Sequence, residues 1–211
     1  MDIRDKLMLS AARVYAEAGY RGATTRRIAQ DAGVNEITLF RHFGSKDALI
    51  LEAIRHCGPR SGGPTLPEVA ADPQRELVEW CRARFARLYE VRSLIRTCMG
   101  EVAERPDMRH PATAGALRSA GELSGYLARL RDQGLTTTAF DVSAATWMLM
   151  AVLFSGAMWC DVIPEITGED TEGTLDENVR VFLRGIGVTP GAAARDGTST
   201  DGTSTSERVM A

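Results

Sequence analysis

The chain has 211 residues, 44% of them hydrophobic and 25% charged, an ordinary soluble composition with room for one large or two small domains. A net charge of -3 excludes a general electrostatic attraction to polyanions, so any nucleic-acid binding has to come from a local patch. Four cysteines without a Cys-x-x-Cys pair, and a start that lacks the basic-then-apolar pattern of a signal peptide, argue against a disulfide scaffold and for free thiols in a reducing cytoplasm.

Charge is unevenly divided. Residues 1–57 carry nine Lys or Arg against seven Asp or Glu, about +2, which leaves 16 against 21, or -5, for the remainder. From Ile3 the apolar positions Leu7, Ala11, Val14 and Ala18 recur every three or four residues, the stripe of an amphipathic helix. Gly19 ends it, with Tyr20 expected to fold back on Tyr15 as the hydrophobic partner of the stop.

Residues 24–46 are the most punctuated stretch. Either Thr24 or Thr25 can cap a short helix whose apolar Ile28, Ala29 and Ala32 share a face. Gly33 closes it in a left-handed conformation, with Val34 as the plug of the turn. Asn35 caps a second helix of about two turns, which sends Leu39 and Phe43 inward at i, i+4 and leaves Glu36, Ile37, Thr38, Arg41 and His42 more exposed. Gly44 stops that helix and Ser45 caps the next. Two short helices hinged at a glycine and followed at once by a third form a helix-turn-helix.

These residues resemble the DNA-binding domain of the tetracycline-repressor (TetR) family. The likeness covers about residues 3–57 and rests on the Gly-Tyr before the two threonines, the Ala-Gly-Val turn, the Thr-Leu-Phe-x-His-Phe run and the Ser-Lys-x-x-Leu ending, all in register. It implies a homodimeric, cytoplasmic transcriptional regulator that leaves double-stranded DNA when a small molecule enters its second domain.

Ser45 opens a fourth helix to about His56, with Leu49, Ile50, Ala53 and Ile54 apolar. In the family this helix joins the DNA reader to the ligand domain, which makes its tilt the expected transmission element. Gly58, Pro59, Gly62, Gly63, Pro64 and Pro67 then mark a linker. The predicted division is a DNA-binding domain at 1–57, a helical effector-binding and dimerisation domain at 66–188 and a tail at 189–211. Past Pro73, helices are expected to about Tyr89, over Leu94, Ile95, Cys98, Met99 and Val102 up to Pro106, and from Pro111 to Gln133. With no alternating strand-like run, the fold class is all-α.

Residues 142–160 are a charge-free run of 19, borderline for a membrane span by length. That reading is rejected: Asp141 and Asp161 flank the run without a Lys or Arg anchor, and Ser143, Thr146, Ser155 and Gly156 dilute it. A helix apolar nearly all round needs burial nearly all round. One face is expected on its own core and another on a second copy, joined by a last helix from Leu175 to about Ile186 with Val179, Phe182, Leu183 and Ile186 at helical spacing. The family resemblance implies the same pair, here 138–163 and 174–187, as the dimer contact. The tail repeats Asp-Gly-Thr-Ser-Thr in tandem and is too polar to order itself.

The expected DNA-facing set is Thr24, Thr25, Arg26, Asn35, Glu36, Ile37, Thr38, Phe40, Arg41, His42 and Lys46. Thr24 or Thr25 sits where free N–H groups and the helix dipole favour a phosphate. The resemblance implies phosphate contacts for Lys46 and His42. Arg26 either pairs with guanine or stays solvated on the backbone. Glu36 either accepts from cytosine N4 or only favours its helix N-terminus. Phe40 stands where the family commonly has tyrosine, so it keeps the apolar contact and lacks the hydroxyl, and Ile37 is bulkier than the family's usual residue.

In the second domain Trp80, Arg84, Phe85, Tyr89, Cys98, Met99, Tyr126, Trp147, Met150, Phe154 and Met158 suit an adaptable apolar effector site, with plain core packing as the alternative. Arg96 either meets an anionic head group or lies on the surface. His56 beside Cys57 has no second ligand cluster, so no metal is expected, nor is any cofactor. The histidines at 42, 56 and 110 form no recognisable nucleophile, base and orienter set, which argues against an enzyme. A constitutive DNA binder without effector is the remaining alternative.

Overall fold

Asp2 caps α1 (Ile3–Gly22) by accepting the Ile3 N–H at 2.6 Å. The computed structural model describes residues 1–58, 63–167 and 170–188, so the predicted tail at 189–211 lies outside the described residues. Gly19 interrupts α1 with φ 65°, a region that costs other residues steric strain. A Cβ added there would also meet Glu101 Oε1 at 2.7 Å.

The next three helices follow their caps. Thr24 Oγ1 accepts from Arg27 N at 3.2 Å and starts α2 (Thr25–Asp31); Asn35 Oδ1 accepts from Thr38 N at 2.8 Å and starts α3 (Glu36–Phe43). Ser45 Oγ accepts from Ala48 N at 3.1 Å and starts α4 (Lys46–Cys57). Of the two threonines, Thr24 is thus the cap and Thr25 the first helical residue. Gly33 and Gly44, at φ 68° and 74°, make the turns.

Beyond the linker come α5 (Pro73–Glu90), α6 (Arg92–Glu101), a 3-10 turn at Pro106–Met108, and α7 (Arg109–Asp132). They are followed by α8 (Val142–Trp159), the single turn α9 (Pro164–Thr167) and α10 (Thr171–Gly185). Every regular element among the described residues is helical. The last helix starts four residues before the predicted Leu175 because Asp170 accepts the Gly173 N–H at 2.9 Å and caps it there.

Two hydrophobic cores result. The first gathers Leu7, Tyr15, Ile28, Leu39, Leu49 and Ile50 from α1 to α4, and it also takes Leu94 and Cys98 from α6. The second gathers Leu77 and Trp80 of α5, Leu123, Tyr126 and Leu127 of α7, Leu149 and Leu153 of α8, and Val179 and Phe182 of α10. Truncating a fully buried leucine in either core should cost about 2–5 kcal/mol. By burial, then, α6 belongs to the first core although it follows the linker in sequence.

The linker itself is strapped down from residue 66 on. Glu122, Arg129 and Gln133, on one face of α7 and just beyond its end, hold its backbone. Glu122 accepts Leu66 N–H at 3.0 Å, Arg129 donates to Pro67 O at 3.0 Å, and Gln133 donates to Glu68 O at 3.2 Å. Tyr126, on the same stripe, donates instead to Glu76 at 2.7 Å. Burial would raise the Glu122 carboxyl, but the Leu66 N–H and the Arg84 guanidinium at 2.9 Å outweigh it and hold the group below its ordinary value.

α8 is long and apolar enough to cross a membrane by length and composition, yet its Ala145, Thr146, Leu149, Leu153, Ala157 and Met158 are buried within this fold. Its other face is bare. Trp147 is 77% exposed and Met148 and Trp159 50% each, and Val181 of α10 is 55% exposed.

Candidate nucleic-acid interface

The outward side of α3 is built from residues that the core cannot use. Leu39 and Phe43 anchor the helix, and Arg4 of α1 clamps its end: the guanidinium lies 4.5 Å over the Phe43 ring, donates to His42 O at 3.1 Å and pairs with Glu52. Nothing in the sequence spacing singled out Arg4. With the helix fixed, Ile37 is 77% and Phe40 45% exposed. Two apolar side chains held in water on a short helix between Asn35 and Arg41, both also exposed, form a surface without an intramolecular use. Arg26 and Thr24, at the head of α2, are exposed as well.

Other members of the predicted set are engaged inside the protein. Thr25 Oγ1 donates to the Glu36 carboxylate, joining the starts of α2 and α3. Glu36 therefore braces the two helices, and this occupation is what its readiness for cytosine has to overcome. Thr38 donates its hydroxyl to its own cap Asn35 at 3.1 Å. His42 is turned partly inward against Phe43, and its Nε2 is buried without a hydrogen-bond partner among the described residues. This orientation corrects the expectation of an outward imidazole.

Lys46, expected at phosphate, is engaged inside the protein. Its Nζ donates to the carbonyl of Tyr20 and lies 3.8 Å from the centroid of the Tyr20 ring. Desolvation there pulls the ammonium below its ordinary value. Tyr20 is partly buried against the first core, which contains Tyr15. Its ring also carries the Arg105 guanidinium at 3.7 Å, and its hydroxyl donates to Asp47 at 2.7 Å. Arg105 reaches the same Asp47 oxygen at 2.7 Å. Tyr15 instead donates to Glu101 at 2.7 Å, and the other oxygen of Glu101 accepts the Tyr20 N–H at 2.7 Å.

The end of α6 and the loop after it are thus fastened to the α1 end and the α4 start, beside Lys46. A second tie lies at the far end of α4, where Arg87 of α5 donates to Cys57 O and Gly58 O at 3.4 Å each. The family resemblance implied α4 as the link between the two parts; α6 also packs into the first core, through Leu94 and Cys98. Burial pushes the Cys98 thiol up to about 11.

The predicted effector residues do not converge on one place. Cys98 is in the first core, which corrects its assignment to the second. Trp80 and Tyr126 are fully buried packing residues, and Met158 is buried in α8. Met99 is 55% and Trp147 77% exposed: a helix apolar all round gives no signal of which face turns out. Met150 and Phe154 are half-buried on α8, while Arg84 is paired with Glu122. Phe85 and Tyr89 stack at 6.4 Å and line open grooves between α5, α8 and α10. One of about 350 Å³ includes Tyr89 and Asp161, and one of about 530 Å³ includes Trp147. Arg96 donates to Met158 O and to Asp161.

Residues 7–53, which span this reader, match the family model for bacterial regulatory proteins of the tetR family. That match covers the N-terminal reader alone. It is 23% identical over 182 residues to the HTH-type transcriptional regulator YvkB of Bacillus subtilis, covering 86% of this chain and 95% of that one. It is 39% identical over 57 residues to the HTH-type transcriptional repressor AcnR of Corynebacterium efficiens, covering 27% of this chain and 30% of AcnR. The fold is similar to the TetR-family regulator PfmR of Thermus thermophilus, with a TM-score of 0.60 at 22% identity over 87% of this chain and 98% of PfmR. Within the matched residues, α2 and α3 form the helix-turn-helix.

Proposed function

We propose that the protein is a cytoplasmic homodimeric repressor that reads an inverted repeat with α3 and releases it when a small, lipophilic effector occupies the C-terminal helices. The observation that carries the reading is the outer face of α3, where Ile37 and Phe40 stand in solvent between Asn35 and Arg41. On a duplex, those apolar groups meet thymine methyls and sugars, while Arg26 and Arg41 supply guanine or phosphate contacts. Lys46 reaches phosphate once it leaves Tyr20.

The bare Trp147, Met148 and Val181 face supports pairing of α8 and α10 with those of a second copy. Paired readers about 34–36 Å apart span one DNA turn. The contacts of α6 with both halves of the chain support coupling between effector and DNA. Mobility shift with purified protein and the DNA upstream of its gene tests the reading. Equal affinity for scrambled DNA at physiological salt refutes it.

A further inference from the structure

Residues 1–57 hold nine Lys or Arg, and the fold sorts them by whether a carboxylate holds them. Arg4 pairs with Glu52, Arg13 with Asp31 and Arg27 with Glu17. Lys6, Arg21, Arg26, Arg41 and Arg55 are exposed and form no ion pair with a described residue. Arg26 and Arg41 already belong to the DNA-facing set. Arg21 does not.

The carboxylates nearest to Arg21 in the fold are engaged elsewhere. Glu17, four residues back, holds Arg27 at 2.7 Å, and the break at Gly19 takes Arg21 out of helical register with it. Asp47 accepts from the Tyr20 hydroxyl and from Arg105 at 2.7 Å each. The two oxygens of Glu101 take the Tyr15 hydroxyl and the Tyr20 N–H. The donors of the Arg21 guanidinium are therefore open to an acceptor from outside the chain.

Position decides what that acceptor is. The carbonyl that accepts from Lys46 belongs to the peptide bond joining Tyr20 to Arg21, so Arg21 follows directly on the group that seats Lys46. In the turn that comes next, Ala23 N–H donates to Gly19 O at 3.0 Å and Thr24 N–H to Gly22 O at 2.9 Å, which brings Arg21 close to the head of α2. Lys6, far back along α1, and Arg55, far beyond Lys46 along α4, are removed from this corner by roughly 22 and 13 Å of helix.

We propose that Arg21 is a further phosphate contact of the reader, gripping the duplex backbone beside the phosphate of Lys46. A guanidinium can take two oxygens of one phosphate in parallel bonds. Such a contact fixes the register of α3 in the groove and carries no sequence information itself. The inference rests on the proposed reading of DNA by α3, with Lys46 on phosphate.

Anisotropy titrations of the full chain over a salt series test it, on a duplex of the DNA upstream of its gene and on a scrambled duplex. Arg21→Ala should weaken both by roughly threefold or more and lower the salt slope by about one. Arg21→Lys keeps the charge and should restore the slope. Arg55→Ala removes another exposed, unpaired arginine and should leave the slope at the parent's value, because charges beyond about 10 Å are screened. Melting of the variants without DNA reports that they fold. A parental slope in Arg21→Ala, a slope that Arg21→Lys does not restore, an equal slope loss in Arg55→Ala, or a loss confined to the upstream duplex each overturns the contact. Equal binding of both duplexes by the parent, with the Arg21→Ala slope loss intact, upholds the contact and overturns the sequence-specific reading instead.

Discussion

Glu101, the last residue of α6, accepts the backbone N–H of Tyr20 at 2.7 Å while its other oxygen accepts the hydroxyl of Tyr15 at 2.7 Å. One carboxylate thus satisfies two donors from the end of α1, where Gly19 leaves room for it. Glu101→Ala strands both donors in a half-buried site and should destabilise the chain by about 1–3 kcal/mol. Glu101→Gln keeps the amide oxygen as an acceptor and should cost less. Urea unfolding of the two variants measures this; equal stability of Glu101→Ala and the parent would show that the junction contributes nothing.

Lys46 and Arg105 share Tyr20 but differ in role. Lys46→Ala should weaken binding to operator and scrambled DNA alike and reduce the salt dependence by about one counterion. Arg105→Ala removes no DNA contact, so its salt dependence should match the parent while its response to effector changes. Anisotropy titrations over a salt series distinguish the two, and an unchanged slope for Lys46→Ala contradicts the phosphate assignment.

Ile37 makes no use of its side chain within the protein. Ile37→Ala should therefore leave stability within about 0.5 kcal/mol of the parent, yet relax discrimination at one base step by about 1–3 kcal/mol. A loss of stability without a change in base preference would place Ile37 in packing rather than reading.

Trp147 is the most exposed large apolar residue of α8. Trp147→Glu puts a charge into the proposed α8 and α10 pairing and should convert the dimer to monomer with its helical signal retained. Light scattering after gel filtration reads the mass, and a dimer surviving this substitution would move the interface elsewhere.

The pH dependence of the junction follows from Asp47. The Tyr20 hydroxyl, and after it the Arg105 guanidinium, hold its carboxyl below the ordinary carboxylate value. A depressed carboxyl contributes stability above its unfolded value of about 4 and loses it as pH falls through the folded value. The side chain is 54% exposed, so Asp47→Asn should cost under about 1 kcal/mol at neutral pH. The difference from the parent should shrink as pH falls below about 4 and vanish once pH is below the depressed folded value. A difference that grows on acidification contradicts the sign.

The parts legible in the sequence are the local ones. Thr24, Asn35 and Ser45 each cap the backbone N–H three residues on, and Leu39 with Phe43 share a face by spacing alone. The parts that escaped need long-range partners. The polar partners of Tyr20, Glu101 and Arg105, lie some 80 residues away, and nothing in their neighbourhood marks them. Cys98 and Leu94 looked like effector-domain core because α6 follows the linker, whereas tertiary packing gave that helix to the first core. Glu36 had two open readings, and the Thr25 hydroxyl settles only where it rests in the free chain.

Selection of bound fragments from a random duplex pool tests the central claim most directly. The account predicts enrichment of an inverted repeat with half-sites about one helical turn apart, lost when Ile37, Phe40 and Arg41 are replaced together by alanine in a chain that still folds. Enrichment of no sequence, or of the same sequence by that triple variant, would contradict the assignment of α3 as the reader.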